Sequence, residues 1–367
     1  MKNTTTSKKN ICFVLPGFSY KAIGGYKIVY EYANRLTEFG YNITIFYPLF
    51  YFINKKSESL IHIIKKTLGY IPFKIFGLYK VRWFRLNKKI REKFYFSYNR
   101  EKLLKYDVLI ATHISTAFAL HNLHLDEVKI CIYLIQDFEK WGIYSETDVF
   151  ESYRFPMKKI CIAPWLLEKV KSVGEDAVLI YDGLDFSYFS LTKPIENRNP
   201  CEISLMFHTR PEKRFEDSLK ALQIVHQEIP EIHISVFTVF DAPKKLPKYF
   251  TYYKSPSKEE LNEIYNNSAI YVAASSIEGF GLTVAEAMIC GCAVACTDNG
   301  GFSSMVKTGD TGLLSPVFDY KSLAKNIINL IEDNELRTRL AKNGNKNISK
   351  FKWETAVEKI IEVLENI

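Results

Sequence analysis

Short apolar runs recur along the chain and predict the strands of a parallel sheet. Residues 11–16 (Ile-Cys-Phe-Val-Leu-Pro) are apolar without alternation, as expected for a strand that is buried on both faces. Residues 26–39 then repeat apolar side chains at helical spacing, and Gly40 stands where a helix commonly ends. Residues 42–47 predict the next strand. This strand–helix–strand order is typical of a parallel sheet covered by helices.

The same pattern continues through the chain and restarts after residue 200. In the first half, strands are predicted at 107–111, 129–135, 158–163 and 177–181, and a helix at 164–173. The polar, proline-containing stretch 183–200 is interpreted as a linker. In the second half, strands are predicted at 203–207, 232–237, 270–273 and 293–297, and helices at 215–227, 258–266, 283–290, 323–330, 334–343 and 356–367. The 367 residues therefore predict two doubly wound α/β domains, with a cleft at the carboxyl ends of their strands.

Composition narrows the class of protein. With 47% hydrophobic and 25% charged residues, a disordered chain, a collagen and a disulfide-stapled miniprotein are excluded. The seven cysteines include no Cys-x-x-Cys pair, and most lie in apolar runs, which fits buried thiols in a reducing compartment. Residues 1–10 lack an apolar signal core, and no uninterrupted apolar run is long enough to span a membrane. We expect a cytoplasmic protein and leave contact with a membrane surface open.

The positive charge is concentrated in one segment. Residues 51–105 contain fifteen Lys and Arg against three acids, a net charge of +12, so the rest of the chain carries −4 of the total +8. A basic segment of this kind needs its own explanation.

The stretch 275–291 carries the strongest chemical signal. An apolar strand runs into a glycine-rich turn with Gly279 and Gly281, and a helix follows. The first turn of such a helix has unpaired N–H groups that favour an anion, and glycine lets the backbone approach a phosphate closely. Glu278 in the turn and Glu286 inside the helix add two carboxylates, which would accept hydrogen bonds from sugar hydroxyls.

This stretch resembles the Glu-x7-Glu signature of the retaining glycosyltransferases of family 4, which have the GT-B fold. The similarity continues through Gly291–Gly301, Gly309–Leu314 and the region of Trp353, and covers the second half of the chain. The resemblance implies an acceptor-side domain at 1–182 with the basic insertion 51–105, a nucleotide-sugar-binding domain at 183–350, and a helix at 351–367 that packs back on the first domain. It implies no metal and no other cofactor.

The resemblance also assigns roles in the second domain. Glu286 would hold the ribose of a nucleotide-sugar, and Glu278 would hold the donor sugar and diphosphate with the backbone around Gly279, Phe280, Gly281 and Leu282. In the loop 208–215, Arg210 and Lys213 fit the cations that stabilise the leaving diphosphate. Their spacing is shorter than usual, and Arg214 stands where a glycine usually follows the lysine. Lys213 and Arg214 therefore remain alternatives for the second contact.

The first domain offers the remaining candidates. Gly24 and Gly25 resemble the family's acceptor-side loop, whose amides approach the diphosphate. His113 directly follows a predicted strand and matches a histidine that contacts the donor sugar near its reactive carbon. Asp137 and Glu139, in a Gln-Asp-Phe-Glu segment similar to a rhamnosyltransferase-like subgroup, would hold acceptor hydroxyls or deprotonate the nucleophile.

His121 and His124 are three residues apart, and no third metal ligand is apparent.

The predicted function is transfer of a sugar, for example a deoxyhexose such as rhamnose, from a nucleotide-sugar to a glycan or lipid-linked hydroxyl in surface polysaccharide synthesis. A glycoside hydrolase, a sugar-nucleotide epimerase of GT-B fold and a non-catalytic GT-B scaffold are the alternatives. The basic segment 51–105 is interpreted either as a dock for an anionic membrane surface or as a solvated face whose aromatics lie in the core. No nucleic-acid-reading motif accompanies it.

Overall fold

The protein folds into two compact units with a separate parallel sheet in each. The computed structural model describes residues 8–48, 80–140, 143–242 and 246–367. Among these, unit 1 contains the residues up to 162 together with 166–180 and 357–367, and unit 2 contains 163–165 and 181–356. All strand pairs of both sheets are parallel.

Unit 1 is built on a seven-stranded sheet of order β3-β2-β1-β4-β5-β6-β7. Its elements are β1 (Asn10–Val14), α1 (Gly24–Glu38), β2 (Asn42–Pro48), β3 (Arg91–Tyr95), α2 (Arg100–Leu103), β4 (Val108–Ala111), α3 (Ile114–Asn122), β5 (Ile130–Ile135), α4 (Glu146–Tyr153), β6 (Lys158–Cys161), α5 (Pro164–Lys171) and β7 (Ala177–Leu179). In the central strand β1, the side chains of Ile11, Cys12, Phe13 and Val14 have no solvent exposure, which explains the continuous apolar run. The chain winds outward from β1 in both directions, so the loops after β1 and β4 leave the sheet side by side.

Unit 2 has a six-stranded sheet of order β10-β9-β8-β11-β12-β13. Its elements are β8 (Glu202–Met206), α6 (Phe215–Glu228), β9 (His233–Thr238), β10 (Phe250–Lys254), α7 (Lys258–Asn267), β11 (Ile270–Ala273), α8 (Leu282–Ile289), β12 (Ala293–Thr297), β13 (Leu313–Ser315), α9 (Tyr320–Glu332), α10 (Asn334–Ile348) and the start of α11 (Trp353–Glu365). The strand order reverses between β8 and β11, where Leu205 pairs with Val272. Ligands of open α/β sheets bind at such a reversal, outside the carboxyl ends of the strands.

Three strands were not expected from the sequence pattern, and all lie at sheet edges. β3 lies inside the basic segment 51–105, and its Arg91 and Lys93 are exposed. These charged residues obscure the alternation of apolar and polar positions that would predict a strand. β10 is a half-buried edge strand, and β13 has only three residues. Charged or short edge strands resist pairing with other chains. The same charge and shortness remove the apolar pattern by which a strand is predicted from a sequence. Residues 51–79 of the basic segment lie outside the described residues.

The predicted linker is packed on unit 2. Arg198 is 7% exposed, and its guanidinium donates to the carbonyl oxygens of Ser268 (2.9 Å) and Cys290 and to the side chain of Asn266 (3.2 Å). A buried guanidinium needs several acceptors to offset its loss of hydration, and here backbone carbonyls supply most of them. The stretch therefore has a fixed path over α7 and α8.

Helix α11 begins in unit 2 and ends in unit 1. Its residues from Val357 onward belong to unit 1. There the Lys9 ammonium donates to the carbonyl oxygens of Leu364 (2.5 Å) and Ile367 (2.8 Å), and Ile360 and Leu364 are fully buried. A cation at these unpaired helix-end carbonyls is favourable.

Candidate functional site

The loops after β8 and β11 are joined in unit 2. The backbone N–H and the hydroxyl of Ser276 both donate to the carbonyl oxygen of Glu212, at 2.8 and 3.2 Å. Glu212 belongs to a single 3₁₀ turn, Pro211–Lys213, that precedes α6. These two bonds fix the cationic loop against the glycine-rich turn that leads into α8.

An ion pair connects the same two loops. The Lys213 ammonium lies 2.7 Å from both carboxylate oxygens of Glu278. The two side chains are only 21% and 13% exposed, so the pair is partly shielded from water. The structure therefore brings together two residues that the sequence predicted separately for one site.

The two arginines of the loop point to other partners. Arg210 has a 42% exposed side chain and pairs with Glu212 at 3.3 Å. Arg214 pairs with Asp217 in the first turn of α6 at 2.7 Å, and its guanidinium lies over the ring of Phe318. Of the two alternatives for the second cation, Lys213 is thus the one in contact with Glu278.

The backbone of Arg214 adopts a conformation that favours glycine. Arg214 has φ +47° and ψ +40°, the left-handed conformation, and it precedes α6 without a capping hydrogen bond from its side chain to the helix backbone. A residue with a Cβ loses roughly 1–2 kcal/mol in this conformation, and glycine does not.

Glycine is required in the turn before α8. Gly281 has φ +99°, and a Cβ at this position would lie 2.5 Å from the ring of Phe302. A Cβ on Gly301 would lie 2.4 Å from the carbonyl oxygen of Glu278. With no side-chain cap and no acid in its first turn, α8 begins at Leu282 with its N–H groups available to an anion.

A tryptophan side chain contacts the glycine-rich turn before α8. The indole N–H of Trp165 donates to the carbonyl oxygen of Gly279 at 3.0 Å, within unit 2. The side chain of Phe280 is 3% exposed and packs against the ring of Phe351 at 5.3 Å. Two separate contacts therefore hold the backbone of Gly279 and the ring of Phe280 in place.

Glu286 is a nearly buried carboxylate on α8. It is 8% exposed, and the hydroxyl of Tyr265 donates to it at 3.3 Å. Burial raises the pKa of Tyr265 well above its ordinary value, so this hydroxyl keeps its proton at neutral pH. Tyr265 orients the carboxylate.

In unit 1, the two predicted glycines are the first two residues of α1. No side chain caps this helix at Ile23, and its first turn contains no acid. A Cβ on Gly25 would lie 3.4 Å from the amide oxygen of Gln136, whose amide nitrogen donates to the carbonyl of Thr112 at 3.0 Å. Gln136 therefore joins the loops after β4 and β5 beside the start of α1.

His113 caps α3 and faces a buried carboxylate. Its Nδ1 accepts from the N–H of Ser115 at 3.2 Å, and its Nε2 lies 3.7 Å from Glu139. Glu139 is 5% exposed and also accepts from the N–H of Ile114. Asp137 accepts locally from the N–H of Phe138 at 2.8 Å. Of the two predicted acids, Glu139 is thus the partner of His113.

Three residues of the site were not predicted from the sequence: His208, Tyr265 and Trp165. His208 directly follows β8 in a cationic loop, which is a usable signal. Tyr265 and Trp165 carry no such signal, because each acts through one hydrogen bond to a residue distant in sequence.

The pair His121 and His124 is engaged elsewhere. His121 contacts Asp126 and His124 contacts Glu127, at 2.7 and 2.9 Å between side-chain atoms. Among the residues that the structure describes, no group of three or more His, Cys, Asp or Glu side chains is arranged to hold a metal ion.

Residues 205–347 match the family model described as glycosyl transferases group 1. The phosphatidyl-myo-inositol mannosyltransferase of Mycobacterium tuberculosis is 24% identical over 213 residues, which is 54% of this chain and 56% of that protein. The chain thus spans about half the length of this curated relative.

Solved structures resemble the whole chain. HepE of Anabaena, solved in complex with UDP-glucose, has a TM-score of 0.72 at 15% identity and covers 98% of this chain and 100% of its own. Sucrose-phosphate synthase of Thermosynechococcus elongatus has a TM-score of 0.73 at 16% identity, with 98% and 99% covered. The predicted fold is confirmed: the chain has two Rossmann-like parallel-sheet domains of the GT-B type.

The left-handed backbone of Arg214 makes a testable prediction for stability. Arg214→Gly and Arg214→Ala both lose the contact with Asp217, but only the alanine variant keeps the conformational cost. We expect the glycine variant to be more stable by about 1 kcal/mol in urea unfolding.

Arg339, exposed inside α10, is the matched control. At a helical position alanine is favoured over glycine by about 1 kcal/mol, so the order of the two variants should reverse there. An alanine variant at position 214 that equals or exceeds the glycine variant would contradict the assigned backbone.

Proposed function

We propose that this protein is a nucleotide-sugar-dependent glycosyltransferase that transfers a sugar to a hydroxyl acceptor with retention at the anomeric carbon. The Lys213–Glu278 pair, which joins the cationic loop to the glycine-rich turn at the reversal of the unit 2 sheet, is the observation that carries the proposal. The group 1 family match over residues 205–347 covers the same elements. HepE, of similar fold, is described in complex with UDP-glucose.

In this proposal unit 2 holds the donor. Lys213 and Arg210 neutralise the diphosphate, together with the N–H groups at the start of α8. Glu286, held by Tyr265, accepts hydrogen bonds from the ribose hydroxyls, and Glu278 does the same for the donor sugar. We propose that protein cations, with no metal, stabilise the charge that develops on the leaving diphosphate.

Unit 1 would supply the acceptor side. His113, oriented by Glu139 and by its cap of α3, would contact the donor sugar near its reactive carbon, and the amides of Gly24 and Gly25 would approach the diphosphate. Because Glu139 already engages His113, Asp137 is the better candidate to hold the acceptor hydroxyl. The donor phosphate itself would accept the acceptor's proton on the same face of the sugar.

We propose a lipid-linked or glycan acceptor in surface polysaccharide synthesis, with a deoxyhexose such as rhamnose as donor sugar. The Gln136–Glu139 segment is the support for the sugar. The support for a lipid-linked acceptor is the relative named as a phosphatidyl-myo-inositol mannosyltransferase.

Membrane contact would use the exposed cations of the basic segment. Lys88, Lys89 and Arg91 are exposed. Among the aromatics of the basic segment, Trp83 donates to a carbonyl of unit 1, and Phe94 stacks on Tyr47 at 4.7 Å. In the described part of the chain, no helix is long and apolar enough to cross a membrane. We propose peripheral docking at the cytoplasmic leaflet through the exposed cations.

Release of free nucleotide tests the function. The protein is incubated with UDP-, GDP-, ADP- and dTDP-activated sugars, with and without a hydroxyl acceptor, in EDTA, and the anomeric configuration of any product is read by NMR. Glu286→Gln should weaken nucleotide binding about tenfold, because a charged acceptor becomes neutral.

Tyr265→Phe is the control, since it removes the hydroxyl that orients Glu286 but leaves the carboxylate. It should weaken nucleotide binding less than Glu286→Gln does. If the protein shows no nucleotide binding and no turnover with any of these donors, the proposal is refuted. Interconversion of the sugar without nucleotide release would identify an epimerase instead.

His113 should affect rate more than binding. Asparagine caps helices as well as histidine does, so His113→Asn keeps α3 and removes the imidazole. We expect kcat to fall roughly 100-fold with the nucleotide Kd unchanged. His124→Asn, at an exposed position with φ +50° that asparagine tolerates, should leave both unchanged. An unchanged kcat for His113→Asn would exclude a role in the reaction.

Flotation with liposomes tests membrane docking. The wild-type protein should float with phosphatidylserine vesicles at low salt and remain behind with phosphatidylcholine. Lys88→Gln with Lys89→Gln should reduce binding tenfold or more, at about 1 kcal/mol per cation. Lys321 and Lys325 are two exposed lysines of α9, and the double variant Lys321→Gln with Lys325→Gln should bind the vesicles like the wild type. Equal binding to both lipids, or none, would reject the docking.

A further inference from the structure

His208 occupies a constrained position at the start of the cationic loop. The backbone N–H of Arg210, two residues later, donates to its Nδ1 at 3.0 Å. Its ring packs edge-to-face with Phe240, with centroids 4.7 Å apart. These two contacts fix the plane of a half-buried imidazole at the carboxyl end of β8. None of the roles proposed above uses this side chain.

The hydrogen bond of Nδ1 determines where a neutral ring carries its proton. Because Nδ1 accepts, the proton must lie on Nε2. Among the residues that the structure describes, Nε2 has no hydrogen-bond partner. His208 therefore presents a single oriented N–H donor beside the loop that holds Arg210 and Lys213.

Burial and the neighbouring cations keep His208 neutral in the free protein. Burial, followed by the positive charges of Lys213 and Arg210, lowers its pKa from the ordinary value to about 4. Glu278 and Glu212 act in the opposite direction but do not compensate. A diphosphate bound to the two cations would reverse the sign of the local field, which raises the pKa of a nearby imidazole.

We propose that His208 is a third ligand of the diphosphate, donating from Nε2, and that it takes up one proton from solvent as the diphosphate binds. The proposal rests on the function proposed above, since it places a nucleoside diphosphate in this loop. The entering proton adds to Nδ1, the ring nitrogen that carries none, so the hydrogen bond from the Arg210 N–H to Nδ1 breaks and that N–H turns to the bound diphosphate. The proton that enters with the diphosphate leaves when the nucleotide departs, so the site adds positive charge only while the anion is present.

Proton uptake on binding is the direct test. UDP, GDP, ADP and dTDP are titrated into the full chain by calorimetry at pH 7.0, in buffers of different ionisation enthalpy. For a nucleotide that binds, the wild type should take up between roughly 0.2 and 1 proton. His208→Asn keeps an acceptor for the Arg210 N–H but cannot protonate, so its uptake should fall to near zero and its affinity about tenfold.

Two comparisons keep the test sharp. His208→Gln can still donate but cannot protonate, so it should lose the proton uptake and retain more affinity than the asparagine variant. His226 lies on α6 and stacks against Tyr249. The variant His226→Gln should therefore match the wild type in nucleotide affinity and in proton uptake. The NMR shift of the His208 Cε1–H in the wild type reports the same protonation if a variant fails to fold.

The possible results separate the two proposals. Nucleotide binding without proton uptake, or with equal uptake in wild type and His208→Asn, would overturn the role of His208 and leave the proposed function intact. No binding of any nucleoside diphosphate would overturn both. Uptake that His208→Asn abolishes would support both.

Discussion

The parallel pairing of β8 with β11 is the constraint on which the unit 2 site depends. Since the chain leaves β8 toward β9 and returns on the other side through β11, the loops that follow these strands emerge side by side. The bonds from Ser276 to Glu212 and the pair between Lys213 and Glu278 then fix one loop against the other. In such an arrangement an anion meets cations from one loop and helix-start amides from the other, without rearranging either. Within this arrangement the Glu278 carboxylate is itself an anion in contact with Lys213.

Two local features of the loop conflict with ordinary preferences. Arg214 adopts a left-handed backbone that glycine would adopt at lower cost, and in return its guanidinium reaches Asp217. His208 stays neutral beside two cations. Natural proteins tolerate such conflicts mainly where chemistry requires them. Arg198, away from the loop, shows the opposite case, because its buried charge is satisfied by carbonyl oxygens and serves the packing of the linker.

Most of the fold was predictable because its strands are buried on both faces. The run around Phe13 and the run around Val272 are apolar without interruption, and each precedes a glycine-containing turn and a helix. β3 was not predictable, since Arg91 and Lys93 mask its alternation. The residue types of the site were readable from motif spacing, but their pairings were not. Neither the choice of Lys213 for Glu278 nor the contact between Glu139 and His113 follows from distance along the chain.

The division of α11 between the units has a consequence for synthesis of the protein on the ribosome. Unit 2 is continuous from residue 181 to 356 apart from the short segment 163–165, whereas unit 1 requires residues 357–367 to cover the surface where Ile360 and Leu364 are buried. The unit that begins first in the chain is therefore completed last. Until α11 has been translated, a nascent chain exposes apolar surface on unit 1, and this is the stage at which a chaperone would have something to bind.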